Sequence, residues 1–106
     1  MMNPRQSRSL LVIEQPVDGN ELDGIPAGWQ EIRREWGYIQ PVDGREYEQS
    51  QQMRSDTTHK IATRWFDGAT SAMRLVCGPR IFNATSVVNQ DERNRWLEWR
   101  CVEVAV

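Results

Sequence analysis

Few side chains in this sequence have the types and spacing that catalysis or ligand binding requires. His59 is the only histidine, and the two cysteines, Cys77 and Cys101, lie 24 positions apart. Nucleophilic catalysis needs a serine or cysteine held by a base, and no such pairing occurs at a recognisable spacing from His59. We therefore predict that His59 is an ordinary strand residue and that the chain contains no catalytic residue.

The possible ligand motifs are equally weak. The cysteine spacing excludes a zinc ribbon, so both thiols are predicted to be reduced and mostly buried. The stretch from Asp18 to Gly24, DGNELDG, faintly resembles a calcium loop, but Leu22 stands at the third ligand position and Trp29 at the twelfth. Glycines follow aspartates as turn formers, and no glycine-rich phosphate cradle is present. The sequence thus predicts no metal and no cofactor.

Composition indicates one soluble globular domain over residues 1–106. The apolar fraction is 39%, the charged fraction is 26%, and the longest apolar run, Leu10 to Ile13, is too short for a membrane span or a signal peptide. We therefore expect use in a cytosol-like compartment. The formal net charge of -2 gives no overall attraction to nucleic acid. Twelve of the thirteen basic residues are arginine, which suits fixed pairing with carboxylates across an interface, although genomic base composition explains the same bias.

Short segments with strand character follow one another along the chain. The predicted strands are Ser9 to Pro16, Trp29 to Pro41, His59 to Phe66, two strands around the Gly78-Pro79 turn between Met73 and Val88, and Trp96 to Val104. In the second, Ile32, Trp36 and Tyr38 are assigned to one face. Six strands and no helix-period segment of ten residues predict an all-β fold, a small antiparallel barrel or sandwich.

Two tryptophans three positions apart begin the last predicted strand. Side chains alternate between the faces of a strand, so Trp96 and Trp99 point in opposite directions. Leu97, Trp99 and Cys101 form the better core face, which leaves Trp96 outside. The preceding charged stretch, Asn89 to Arg95, is predicted to be a solvated hairpin loop.

One long polar segment, Asp43 to Thr58, does not fit the strand pattern. Only Tyr47 and Met53 in it are apolar, and although Arg45 to Arg54 favours a short helix, no apolar stripe would dock that helix on a core. Long polar excursions from compact domains tend to be functional or disordered. We expect this loop, residues 43–58, to project from the barrel and to become ordered against another subunit or partner.

Several motifs in order along the chain resemble the phage head-tail joining family, which includes the head-closure or stopper proteins of long-tailed bacteriophages. The resemblance runs from about Leu10 to Glu103 and rests on IQPVDGRE (Ile39 to Glu46), THKIATR (Thr58 to Arg64) and RIFNATSVVNQDERNRWLEWRC (Arg80 to Cys101). The sequence departs from the family at Trp96 to Trp99, where aliphatic residues are more usual, and in its short tail after Cys101.

The resemblance implies a non-enzymatic virion component, assembled in the bacterial host cytoplasm and located in the neck. Such proteins form a ring, usually of twelve subunits, below the portal and adaptor proteins. They close the DNA exit channel after packaging and offer a docking surface to the tail terminator or other tail proteins. In the family, the loop between the second and third strands reaches into the channel. Here that assigns channel gating to Arg45, Glu46, Tyr47, Glu48, Gln49, Gln51, Gln52, Arg54 and Asp56.

A ring of identical subunits also needs two unlike contact faces on each subunit. The predicted subunit or neck interface residues are Trp96, Arg93, Arg95, Arg64 and Phe66. Two alternatives stay open at this point. One is a related neck role, as an adaptor, whose rings are mainly helical, or as a tail terminator. The other is a barrel that binds single-stranded nucleic acid on its tryptophans.

Overall fold

The computed structural model describes residues 7–17, 27–42 and 56–104, and their regular structure is almost entirely strand. The strands are β1 (Ser9–Val17), β2 (Gly28–Pro41), β3 (His59–Arg64), β4 (Arg74–Cys77), β5 (Arg80–Asn89) and β6 (Trp96–Glu103). A short 3₁₀ turn, Gln90–Glu92, lies between β5 and β6. No helix in the described ranges is long and apolar enough to cross a membrane.

The six strands form a closed antiparallel barrel in the order β1-β2-β3-β6-β5-β4, with β4 pairing back to β1. This confirms the predicted all-β class and decides between a barrel and a sandwich. Closure gives each strand two hydrogen-bonded neighbours. The pairing is partial on two seams, since β2 pairs with β3 only from Gly37 to Pro41 and β1 pairs with β4 only from Val12 to Glu14.

The barrel interior is filled by side chains that alternate along the strands. The last strand shows the pattern clearly, since Leu97, Trp99 and Cys101 are buried while Trp96 points outward and is half-buried. The face assignment made from the sequence is confirmed. The other buried apolar residues are Leu11, Ile13, Ile61, Phe66, Met73, Leu75 and Phe82.

Strand β2 departs from the predicted single face. Its pairing with β1 shifts register between Ile13 and Glu14. Ile32, on one side of this irregularity, packs against the core, whereas Trp36 on the other side is 52% exposed. A bulge of this kind exchanges the two faces of a strand, so a strict period of two is wrong for β2.

The end of β3 corrects a second expectation. The strand ends at Arg64, so alternation does not continue into the two residues that follow. Phe66 turns into the core, where it is 6% exposed and lies 6.0 Å from the Trp99 ring. Phe66 therefore offers no surface to a neighbouring subunit, and its assignment to an interface was wrong.

The antiparallel order gives the barrel two distinct ends. At one end β2 stops and β3 begins, and Val42 and Asp56 there flank residues 43–55. We call this the loop end. The opposite, hairpin end carries the β5–β6 connection. Thr57 is fully buried at the loop end, and the Thr58 amide donates a hydrogen bond to the Cys101 carbonyl at 2.9 Å. The predicted excursion of residues 43–58 thus includes two residues that belong to the barrel.

Candidate interaction surface

Three outward tryptophans each carry an arginine guanidinium on the ring. Arg74 lies 4.2 Å from the centre of Trp29, and Arg8 and Arg64 stack in the same way on Trp36 and Trp96, respectively. A guanidinium over an indole face is attracted by the negative face of the ring, and its stacking covers apolar surface. The outer tryptophans are therefore parts of ordered surface clusters and are not bare apolar patches.

The β5–β6 connection, residues Gln90 to Arg95, is a hairpin loop with a fixed shape. Asn89 and Asn94 clamp its base, because the Asn94 amide donates to Asn89 Oδ1 at 3.1 Å and the two side chains bond at 2.6 Å. Asp91, Glu92 and Asn94 have φ values of 58°, 54° and 55°. The left-handed region is unfavourable for a residue such as glutamate, and such conformations persist only where surrounding contacts impose them.

This hairpin loop stands beside the outer faces of β2, β3 and β6 and encloses a groove of about 640 Å³. Strand pairing places Tyr38 of β2 opposite Ala62 of β3, and Ala62 opposite Glu98 of β6. The floor of the groove is therefore made by three neighbouring strands. Trp96 and the hairpin loop form a wall. The lining residues are Tyr38, Gln40, Lys60, Ile61, Ala62, Gln90, Asp91, Arg93, Arg95, Trp96 and Glu98.

The charges of the groove divide into paired and unpaired groups. Glu98 accepts a hydrogen bond from Arg100 at 3.0 Å. Within the described ranges, the side chains of Arg93 and Arg95 make no ion pair, hydrogen bond or ring contact, while each of the other seven arginines there has a carboxylate or an aromatic ring as partner. The two unpartnered guanidinium groups both belong to the hairpin loop.

A second polar cluster closes the loop end of the barrel. Arg80 forms a two-point ion pair with Glu103, at 2.8 and 3.1 Å, and its guanidinium lies over Phe82. His59 packs edge-on against Phe82 and contacts Thr58 Oγ1 at 2.9 Å. Burial lowers the pKa of His59, with the nearby Glu103 opposing the shift. The hydrogen bond from Arg80 lowers the pKa of Glu103.

The loop-end cluster indicates a structural role for His59. Its side chain is 14% exposed, its ring covers Phe82, and its partners are a threonine and an ion pair. Neither cysteine is in a disulfide, and burial raises the pKa of Cys101 to about 12, so that thiol stays protonated. Across the described residues no three histidine, cysteine or acidic side chains are grouped to hold a metal.

Four of the predicted interface residues come together at the hairpin end. Arg93, Arg95 and Trp96 line the groove, and the Arg64 guanidinium lies 5.0 Å from the centre of the Trp96 ring. Sequence reasoning missed Tyr38 and Lys60, whose place in the groove depends on the β2–β3–β6 register. The predicted gating residues from Arg45 to Arg54 and the calcium-like stretch lie outside the described residues. Asp56 is described, and it is exposed.

The fold defines a small closed β-barrel protein, and the described part of its outer surface carries an aromatic, charged groove. Residues 2–104 match the family model described as phage head completion protein. The chain therefore belongs to the phage head completion protein family, a family of structural virion proteins.

Two solved structures share the fold across almost the whole chain. The solution structure of a protein from Shigella flexneri 2a is 21% identical, with a TM-score of 0.74 and coverage of 98% of both chains. A chain from the virion of a native gene transfer agent particle is 25% identical, with a TM-score of 0.66 and coverage of 98% of this chain and 100% of that one. A search of curated proteins found no match.

Proposed function

We propose that this protein is a head-closure component of the virion neck. In this proposal it forms a ring below the portal and adaptor proteins, and the resemblance implies twelve subunits. The ring closes the DNA exit channel after packaging and presents the surface to which tail proteins dock. Membership of the head completion family and the likeness to a chain of a gene transfer agent virion support a structural place in the particle.

The observation that carries the gating part of the proposal is where β2 and β3 leave off on either side of residues 43–55. The Val42 amide donates to the Thr58 carbonyl at 3.0 Å, so both ends of the segment are fixed on adjacent strands at the loop end. The groove runs along the outer side of the barrel, from Gln40 and Lys60 near the loop end to Arg95 and Trp96 at the hairpin end. A subunit built in this way carries a channel-facing segment at one end and a surface for neighbours on its side, and the mixed charge of the segment suits pairing with its own copies.

The test replaces Arg45 to Arg54 by a shorter Gly/Ser linker. Loops that lie outside a core tolerate such changes, so the melting temperature of the purified protein should stay within about 5 °C of wild type. Heads assembled with this variant should package DNA and then lose it before a tail attaches. The measurement is nuclease-protected DNA in tailless heads.

A matched variant with the same Gly/Ser residues in scrambled order controls for linker composition, and the melting curve controls for folding. Full nuclease protection with the shortened linker would show that another element closes the channel. The protein would then keep only the tail-docking part of the proposed role. A collapsed barrel would instead show that residues 45–54 belong to the folded core.

The groove also supports a second candidate, binding of single-stranded nucleic acid. Trp96 and Tyr38 would stack bases, and Lys60, Arg93 and Arg95 would contact phosphates. Asp91 and Glu98 in the same groove oppose this function, because they repel a phosphate backbone. Steeply salt-dependent binding of single-stranded DNA by the purified protein would favour it over a protein-docking role. An adaptor role fits less well, since the resemblance associates adaptors with helical rings.

A further inference from the structure

We propose that the groove binds the opposite outer face of a second copy of this chain. That face, which we call the aliphatic face, consists of Leu10, Val12, Val76 and Ile81. The proposal rests on the ring assembly proposed above and names the two surfaces that build it. The resulting contact is head-to-tail, with the groove of one subunit against the aliphatic face of the next.

The aliphatic face is set by strand register. Val12 pairs with Val76, and Val76 pairs with Ile81, so three strands place apolar side chains in one outer row. Their neighbours Leu11, Ile13, Leu75 and Phe82 are buried, which fixes this row on the outside of the barrel. Leu10, two residues before Val12, extends the row and is 41% exposed. Outward aliphatic side chains in such a row gain stability when a partner covers them.

The positions of the two surfaces favour head-to-tail contact. In the closed order β1-β2-β3-β6-β5-β4, β6 lies three strands from β1, and β3 lies three strands from β4. The groove on β3 and β6 is therefore across the barrel from the aliphatic face on β1 and β4. Unlike surfaces on opposite sides of one subunit produce a heterologous contact, which closes into a ring when the rotation per subunit allows it.

The chemistry of the two surfaces is complementary. The groove offers the apolar rings of Tyr38 and Trp96 to aliphatic side chains. Beside the aliphatic face, Glu14 and Glu31 are direct cross-strand partners, and each accepts an arginine from its own chain, Arg74 at 2.7 Å and Arg34 at 3.1 Å. The Glu31–Arg34 pair is exposed, and exposed ion pairs contribute little to stability, while Glu14 keeps a free lone pair beside its part-buried bond to Arg74. These paired carboxylates are suitable partners for Arg93 and Arg95 of the neighbouring subunit.

The hairpin loop adds preorganisation to this surface. Its asparagine clamp and its three left-handed residues fix the loop backbone that carries Arg93 and Arg95, whose guanidinium groups have no partner among the described residues. A loop that is already ordered loses less conformational entropy when it binds. Asp91 and Glu98 in the lining make a mixed-charge protein surface a better match than a nucleic acid, which carries a single sign of charge.

The test is cross-linking inside assembled heads with the full-length protein. Ala62→Cys places a thiol on the groove floor, and Val76→Cys places one on the aliphatic face. Both are made in a Cys77→Ser background, because Cys77 is partly exposed. Native Cys101 is fully buried and its pKa of about 12 keeps the thiol protonated, so it should not react. Heads are treated with a short bismaleimide and analysed on denaturing gels.

The double-cysteine variant should give a ladder of dimers, trimers and larger species, since each subunit links to two neighbours. Each single variant should stay monomeric. A ladder from Val76→Cys alone would mean that like faces meet, and a link to a different head protein would mean that the groove has another partner. Either result overturns the inference and leaves the proposed function intact. The same holds if the double-cysteine variant is present in heads but forms no cross-link. Absence of the protein from heads would instead refute the proposed function.

Discussion

The two tryptophans of β6 give a direct test of the barrel, because the structure assigns them opposite environments. Trp99 is fully buried, and its indole N–H donates to Thr63 Oγ1 at 2.9 Å. Trp96 is half-buried on the outside, under the Arg64 guanidinium. Truncation to alanine should therefore affect folding at one position and mainly assembly at the other.

The expected magnitudes follow from these contacts. Trp99→Ala removes a core aromatic side chain, which costs about 3–5 kcal/mol, and leaves the buried Thr63 hydroxyl with one partner fewer, which costs about 1 kcal/mol more. Against a total stability of about 5–15 kcal/mol, that loss brings the domain close to unfolding. Trp96→Ala loses one cation–π contact and partial burial, so we expect a change of about 1 kcal/mol.

The assay is urea unfolding of the purified variants, followed by fluorescence of the remaining tryptophans and by circular dichroism. Trp99→Phe is the matched control, since it keeps most of the ring volume and loses the hydrogen bond. It should lie between wild type and Trp99→Ala. If Trp96→Ala destabilises the protein more than Trp99→Ala does, the face assignment is wrong and β6 is out of register by one residue.

Two further predictions concern the barrel wall and its loop end. Gly37→Ala should destabilise the fold by about 1–3 kcal/mol, because the added Cβ would lie 2.7 Å from the Ala62 carbonyl oxygen, whereas Gly28→Ala meets open space and should be near neutral in the same denaturation assay. The lowered pKa of His59 means that the unfolded chain takes up a proton more readily than the folded one, so this residue's contribution to stability is present above about pH 6.5 and is lost as pH falls through the folded pKa. His59→Gln should therefore flatten the fall in melting temperature between about pH 7.5 and 5.5, and an unchanged slope would contradict the burial of a neutral imidazole.

Most of the barrel could be predicted from local patterns in the sequence. The alternation of Leu97, Trp99 and Cys101 identified the core face of β6, and the Gly78-Pro79 turn located the β4–β5 hairpin correctly. These features depend on neighbours within a few residues, which a sequence displays directly. The choice between a barrel and a sandwich depends on whether β4 returns to β1, and no local pattern encodes that pairing.

The errors occurred where a strand changes direction or ends. The bulge that opposes Ile13 and Glu14 exchanges the faces of β2, and the stop at Arg64 sends Phe66 into the core. Thr57 looked polar enough for a loop, yet it is fully buried at the loop end. In the two strands tertiary packing overrode the period-two pattern, and at Thr57 it buried a polar residue, with little sign of either in the sequence.

The groove was predictable only in part for a similar reason. Trp96 could be assigned outward from alternation, and the charge of the hairpin loop was visible. Tyr38, Lys60 and Trp96 line one groove because β2, β3 and β6 pair in a particular register. A sequence does not display that register, and residues 43–55 separate β2 from β3 in the chain. The shape of the hairpin loop also depends on the contact between Asn89 and Asn94, five residues apart, rather than on a recognisable turn motif.

The arginine bias has a different physical explanation from the two that composition suggested. Composition left two explanations open, pairing across an interface and genomic base composition, but seven of the nine described arginines pair with rings or carboxylates of their own barrel. A guanidinium can stack on an indole and donate to a carboxylate in its plane at the same time, as Arg74 does between Trp29 and Glu14, and a lysine ammonium offers no such planar fork. Arginine therefore allows a small barrel to keep tryptophans on its outer surface in ordered clusters. Against that background Arg93 and Arg95 of the hairpin loop stand out, because they have no partner among the described residues, and in the proposed ring the carboxylates beside the aliphatic face of a neighbouring subunit would supply one.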